Sequence, residues 1–335
     1  MHAFTVPDEL NAQTPAEQVH DRRDQVRLMA IDQHHSITHS RFQELDEFLS
    51  PGDLLVLNNS RTIPPVLQAS QGNQSIEIRL SRKRSDDQWE ALVACDFFSL
   101  DTPLTFNDGV EAVAIGHGSE HPLIVLEFSI GGSALLDFIY SHGEPVRYEY
   151  IEEPFPLETY QTVYGSVPGS VEMASAGRAF SWQLLQKLKQ QGVKTAFIQL
   201  HAGLSYYEKD RWPSPEQHPE AFAVPEETAR LIEETRRAGN RVIAVGTTVV
   251  RALESAVNPH GEVESAEGTT NLYVDEGYTI SAVDGLLTGF HEPEASHLHM
   301  LTAFLPKKKL MNAYREALLQ GYLWHEFGDM NLILK

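Results

Sequence analysis

The sequence predicts an α/β core, with a mixed and largely parallel sheet covered by helices, interrupted by an all-β barrel-like insert. Three observations carry this expectation. Helical and strand-like runs alternate through residues 1–64 and again through 133–335. Between them, residues 65–132 change to short alternating runs at the close spacing of an antiparallel barrel or sandwich. The run Val242-Ile243-Ala244-Val245 is apolar on both sides, as a parallel strand covered by helices must be. The expected division is a discontinuous core of 1–64 and 133–335 around an insert of 65–132, in keeping with 335 residues being more than one compact core usually serves.

In chain order, the apolar spacing of Phe42, Leu45, Phe48 and Leu49 predicts a short helix. Ser50-Pro51-Gly52-Asp53 breaks it before the strand Leu54-Leu55-Val56-Leu57. In the insert, strands are expected at 75–80, 89–93, 110–115 and 123–128, separated by turn signals such as Gly72-Asn73 and Asn107-Asp108-Gly109. A helix over 133–141, ending at Gly143, is expected to return the chain to the core. Ser181 can cap a helix presenting Leu184, Leu185 and Leu188 on one face, stopped by Gly192 before a strand at 193–200. Pro225-Glu226-Glu227-Thr228 opens a further helix, acidic at its start and closed by Arg236-Arg237 and Gly239, as the helix dipole prefers. After the strand at 242–245 come Gly246, Thr247-Thr248 and a helix to Ala256.

Composition narrows the function. Cys95 is the sole cysteine, so internal disulfides and Cys-rich metal clusters are excluded and a reducing, cytoplasmic setting is expected. No run is long and apolar enough to span a membrane, and the N-terminal residues lack the pattern of a signal peptide. The formal net charge of −21 disfavours a polyanionic partner unless a local patch overrides it. Arg79 with Arg82-Lys83-Arg84, and Lys307-Lys308-Lys309, are short basic clusters that also read as ordinary solvated surface.

Four places can carry chemistry. Thr247 or Thr248 can cap the helix they open, leaving backbone N–H groups for an anion, with Arg251 a turn further on for a carboxylate or phosphate; an ordinary sheet-to-helix turn would look the same. His201, expected at the carboxyl end of a strand, stands where open α/β sheets bind ligands and is a candidate general base or a histidine satisfied within its loop. The small residues of 165–170 and Ala174-Ser175-Ala176-Gly177 permit close backbone approach to a ligand. His291, Glu292, Glu294, His297 and His299 fall within nine residues. A metal is one reading of that cluster, but His297 and His299 would lie about 200° apart around a helix and could not share an ion. The common nucleotide, hydrolase and zincin signatures are absent.

Taken together, several motifs in order make the chain similar to the S-adenosylmethionine:tRNA ribosyltransferase-isomerase family of queuosine biosynthesis. They are Arg23-Asp24 with Arg27-Leu28, the stretch from Pro51-Gly52-Asp53 through Asn58 to Arg61, Tyr160-Gln161-Thr162-Val163-Tyr164, the stretch from Val242 to Arg251 with Leu253-Glu254, Val283-Asp284-Gly285-Leu286, Phe290-His291 with Pro293, and Gly328-Asp329. The resemblance implies an α/β core with a barrel-like lobe. It also implies transfer and isomerisation of the ribosyl part of S-adenosylmethionine onto a 7-aminomethyl-7-deazaguanine base in tRNA, with release of adenine and methionine. The donor is a substrate, and neither a metal nor another cofactor is implied. Such chemistry needs a base for the ribose methylene beside the sulfonium, a seat for the methionine carboxylate and help for departing adenine. On the matching positions, His201, His291 and Asp284 are the expected catalytic groups, with Asp53 or Asp329 as alternative orienting acids. Tyr160, Gln161, Ser175, Ala176, Gly177, Gly246, Thr247, Thr248, Arg251 and Phe290 are the expected substrate-binding set.

The chain departs from the family pattern in one direction. It reads Ala174-Ser175-Ala176-Gly177-Arg178-Ala179-Phe180 for P-T-A-G-L-H-F, His201-Ala202-Gly203-Leu204-Ser205-Tyr206-Tyr207 for H-V-G-A-G-T-F, and Glu294 for a lysine. Ala94-Cys95-Asp96-Phe97-Phe98 stands for K-P-G-K-R, Asn59 for an aspartate and Val66 for an arginine. Lost basic residues mean lost phosphate contacts. The expectation is therefore a diverged paralogue with tRNA binding disfavoured. The alternatives are an S-adenosylmethionine enzyme using a small acceptor or cleaving the donor alone, and, less favoured, a non-catalytic binding protein or a metal-dependent hydrolase.

Overall fold

The computed structural model describes residues 4–95, 98–148, 150–207, 211–214, 216–292 and 296–335. Asp96, Phe97, Pro293 and Glu294, named above, lie outside them. The core is a nine-stranded sheet in the order Ala266–Thr270, Glu220–Val224, Lys194–Leu200, Leu54–Asn58, Val242–Val245, Gly285–Gly289, Met330–Leu334, Arg27–Ile31 and Ile37–Arg41. The four central strands from Lys194–Leu200 to Gly285–Gly289 are mutually parallel. Met330–Leu334 enters antiparallel to Gly285–Gly289 and parallel to Arg27–Ile31, which joins the strands at the two ends of the chain.

The apolar run at 242–245 earns its central place by feeding both faces. Val242 and Ala244 join Leu54 and Val56 in one buried cluster, while Ile243 and Val245 join Leu55 and Leu57 in the other. Each such Val, Leu or Ile side chain contributes about 1.5–3 kcal/mol by leaving water, and Ala244 less. The capping signals also act as read. Ser181 Oγ accepts from Leu184 N at 3.0 Å, and Gly192 ends that helix at φ 93°. Where one helix is expected at 42–49, the chain forms short 3-10 turns, Phe42–Phe48, kinked at Glu44.

The insert is a closed barrel built from Val66–Gln71, Gln74–Lys83, Gln88–Ala94, Leu104–Thr105, Glu111–His117 and Ile124–Phe128. Closure removes the exposed edges that an open sheet of this size would present. The helix Gly132–His142, expected to lead the chain back to the core, turns its apolar face to barrel residues. Leu135, Phe138 and Ile139 pack into the cluster that holds the barrel residues Phe106 and Phe128. One buried carboxylate stitches the barrel wall: Glu90 accepts from Arg82 at 2.7 Å, Arg84 at 2.8 Å, Ser119 N at 3.0 Å and Ser119 Oγ at 2.9 Å. The basic cluster at 82–84 is thus largely spent on an internal acid. Among the described residues, no helix is long and apolar enough to cross a membrane.

Candidate functional site

The carboxyl ends of three parallel strands open into one cleft of about 760 Å³. Lys194–Leu200 delivers Ala202 and Gly203, Val242–Val245 delivers Gly246 and Thr247, and Gly285–Gly289 delivers Phe290 and His291. This is where the sheet's topology puts ligands. Two antiparallel neighbours add to the same rim: Glu220 begins the strand paired with Lys194–Leu200, and the turn 323–329 leads into Met330–Leu334.

Gly246 is the cap of the helix Thr247–Ser255, at φ 97° and ψ 152°, a backbone region open essentially to glycine alone. Neither threonine caps the helix as expected, and no side chain does. The opening turn therefore faces the cleft beside Ser175, Ala176, Thr247 and Thr248, with Thr248 Oγ1 accepting from Asn58 Nδ2 at 3.4 Å. Arg251, one turn into that helix, is ion-paired with Glu220 in the cleft wall. The cation expected there is thus presented together with an anion.

Of the expected site residues, Ser175, Ala176, Gly246, Thr247, Thr248, Arg251, Phe290 and His291 line this cleft, and five do not. His201 turns its Nδ1 to Ser60 Oγ at 2.7 Å and packs against Gly169, where a Cβ would overlap its ring, so Ala202 and Gly203 reach the cleft in its place. Burial, with Lys83 adding repulsion, lowers its pKa. Asp284 lies at the opposite end of the sheet, accepting from Val242 N at 2.8 Å. Val242 and Gly246 are separated by roughly 13 Å of strand, which takes Asp284 out of reach of a ligand at the helix start. Gln161 clamps the backbone of Thr62 in both directions, at 3.1 and 2.7 Å. Tyr160 packs on Phe327, and Gly177 lets the Tyr164 hydroxyl approach where a Cβ would sit 2.0 Å from it. Asp53 holds Arg241, and Asp329 accepts from Arg27 N at 2.6 Å and Leu323 N at 2.8 Å. These two acids organise backbone.

His291 Nε2 meets Thr288 Oγ1 at 2.9 Å and its ring lies 5.1 Å from that of His297. Burial pushes the His291 pKa well below its ordinary value, with His297 and His325 adding repulsion. Burial likewise lowers His297 and His325 to about 4. All three are neutral imidazoles at neutral pH. His299 bonds the Tyr273 hydroxyl. Among the described residues, no three His, Cys, Asp or Glu side chains converge as a metal set.

Several cleft residues escape the sequence reading. Glu172 and Glu326 face it, and burial raises each carboxyl to about 7; two bonds from Ser205 oppose the rise for Glu172, and its own backbone N–H opposes it for Glu326. Trp212, 61% exposed, and Tyr206 form a pair of rings 5.5 Å apart at the cleft. His218 and Glu220 join from the antiparallel side. The only sequence signal near Glu326 is Gly328-Asp329; the aromatics around it read as core.

Comparison with known proteins places these observations in context. A family model described as queuosine biosynthesis protein matches residues 1–333. The S-adenosylmethionine:tRNA ribosyltransferase-isomerase of Thermotoga maritima is 38% identical over 337 residues, covering 99% of this chain and 98% of that protein. Those of Thermus thermophilus and Heliobacterium modesticaldum are 37% and 36% identical, covering 93% and 100% of this chain and 93% and 99% of those proteins. A crystal structure of S-adenosylmethionine tRNA ribosyltransferase from Thermotoga maritima superposes with a TM-score of 0.57 at 34% identity, over 99% of both chains.

Proposed function

The chain belongs to the family of queuosine biosynthesis proteins, and from that premise we propose that it is an S-adenosylmethionine:tRNA ribosyltransferase-isomerase whose donor occupies the strand-end cleft. Kinship with proteins of that name along the whole chain carries the reading. The cleft supports it: its volume of about 760 Å³ falls within the roughly 300–1,000 Å³ typical of small-molecule sites. The side-by-side Arg251 and Glu220 match a zwitterion, the guanidinium taking the methionine carboxylate with the Thr247 and Thr248 amides, the acid taking the ammonium. The neutral His291 and His297 each keep one ring N–H with which to donate a hydrogen bond to the donor's adenine.

The expectation that tRNA is disfavoured finds no support. Net charge sums over the whole surface, whereas association depends on the potential at the docking face. At the cleft itself, the Tyr206 and Trp212 rings offer a stacking surface for an unstacked base, the form in which RNA bases are commonly read. No observation favours a small-molecule acceptor or simple donor cleavage.

Incubation with S-adenosylmethionine, with and without tRNA carrying the aminomethyl-deazaguanine base, and mass spectrometry of the products test the assignment. Adenine and methionine release dependent on that tRNA, with matching mass gain on the base, is expected. No release in its presence would refute the reading, and equal release in its absence would replace it with donor cleavage.

A further inference from the structure

Three histidines in the cleft are held neutral with weak basicity, and the acid expected to orient them, Asp284, lies at the far end of the sheet. The ribose methylene beside the sulfonium still requires a base. The turn 323–329 is built to present one. His325 sits at φ 71°, a strained backbone for a residue with a side chain. Its Nε2 meets Asn11 Oδ1 at 2.9 Å and its ring stacks on Tyr150 at 4.3 Å. Gly328 passes so close to the chain that a Cβ would lie 2.6 Å from Leu323 O. Asp329 closes the turn through Leu323 N and fastens it to the sheet through Arg27 N. Trp324 N donates to Leu10 O, and Ala12 N to Trp324 O. Phe327 is wedged between Phe155 and Tyr160.

What this scaffold delivers to the cleft is Glu326, whose Oε2 is buried with no hydrogen-bond partner among the described residues. Its counterpart Glu172 differs: Ser205 N and Oγ donate to its Oε1 at 2.7 and 2.9 Å. An acceptor left free on a braced turn is the arrangement of a base awaiting its proton.

Building on the donor assignment above, we infer that Glu326 is the general base that removes the proton from the ribose C5′ of S-adenosylmethionine. The proton passes to Glu326 Oε2, and the C–H electron pair stays on C5′, stabilised by the adjacent sulfonium. Nothing is oxidised or reduced, and return of a solvent-derived proton restores the donor. A carboxyl titrating at about 7 suits this role near neutral pH, since the ideal base matches its working pH. The Gly328-Asp329 motif thereby acquires a purpose, holding the turn that aims the base.

The test measures three quantities for wild type, Glu326→Gln and Glu172→Gln: calorimetric affinity for S-adenosylmethionine, deuterium uptake at C5′ from heavy water, and single-turnover product formation on tRNA. For Glu326→Gln, affinity within a few-fold of wild type and a loss of about 10²–10⁴ in exchange and turnover are expected. Formate should restore part of the rate to Glu326→Ala, a rescue that a merely structural role would not allow. Exchange or turnover of Glu326→Gln at the wild-type rate overturns the inference, as does loss confined to Glu172→Gln. Wild-type protein that neither binds the donor nor exchanges its protons overturns the donor assignment as well.

Discussion

Replacement of Glu326 by glutamine should make the protein more stable, and more so in alkaline buffer. The carboxyl titrates at about 7 in the folded protein against an ordinary value of 4.5, because burial penalises its ionised form. Each tenfold change in proton affinity is worth about 1.4 kcal/mol, so the full elevation corresponds to about 3 kcal/mol. The residue is only half-buried, and partial solvation reduces this to about 1–2 kcal/mol. A folded pKa above the unfolded one leaves the proton bound more tightly in the native state. The penalty is therefore absent below pH 4.5, grows between 4.5 and 7, and is complete above 7. Glutamine does not ionise and escapes it. Urea denaturation of both proteins at pH 5 and pH 8 checks this. The midpoint should rise on substitution at pH 8, with little change at pH 5 and an unchanged slope. A gain over wild type no larger at pH 8 than at pH 5 would show that the carboxylate is already satisfied, and the case for a waiting acceptor would fall with it. The direction is informative because most core substitutions destabilise; a gain marks a group kept for function at a cost to the fold.

Three further outcomes follow from the same geometry. Arg251→Ala should weaken S-adenosylmethionine binding tenfold or more, by about 1.5–3 kcal/mol for a lost charged bond, while Arg251→Lys retains part of it; unchanged calorimetric affinity for the alanine variant would remove Arg251 from the donor site. Gly246→Ala should cost about 1–3 kcal/mol of stability through its forbidden backbone angles, read as a lower melting temperature, and should impair donor binding by displacing the helix start. Glu90→Gln should destabilise the barrel by about 3–5 kcal/mol by stranding buried Arg82. Burial alone would raise the Glu90 carboxyl, but the bond and charge of Arg82, helped by Ser119 and Arg84, lower it below 4.5. Wild-type advantage over Glu90→Gln is thus complete above pH 4.5 and fades below it, as paired denaturation curves would show.

The parts of this protein legible in its sequence are those set by local chemistry. Ser181 and Gly192 announce a helix by capping, and the all-apolar 242–245 run announces a strand enclosed on both faces. The helix Gly132–His142 is legible as a helix, yet its partner is not, since an apolar stripe does not say which apolar surface it will meet. The same limit governs the site. Gly246 and Arg251 belong to one continuous motif and were readable; Glu220 beside Arg251 arrives from another strand. His201 stands at the right strand end, but its ring direction is decided by Ser60 and Gly169, far away in sequence. Glu326 is the hardest case. Trp324, Phe327 and Met330 around it have the composition of core, and the positive φ at His325 that accompanies the acid's place in the cleft has no signal in the sequence.

The insertion of Met330–Leu334 between Gly285–Gly289 and Arg27–Ile31 also has a consequence during synthesis. The strand near residue 30 lacks its parallel neighbour until residue 330 leaves the ribosome, an interval of roughly 15–60 s at 5–20 residues per second. For that time the nascent polypeptide carries an unpaired edge at Arg27–Ile31, joined by a second at Gly285–Gly289 only over the last few seconds. Since the turn bearing Glu326 immediately precedes the missing strand, a stalled or truncated translation product cannot assemble the reactive pocket, and pulse proteolysis of arrested chains should find both edges open until the final strand is added.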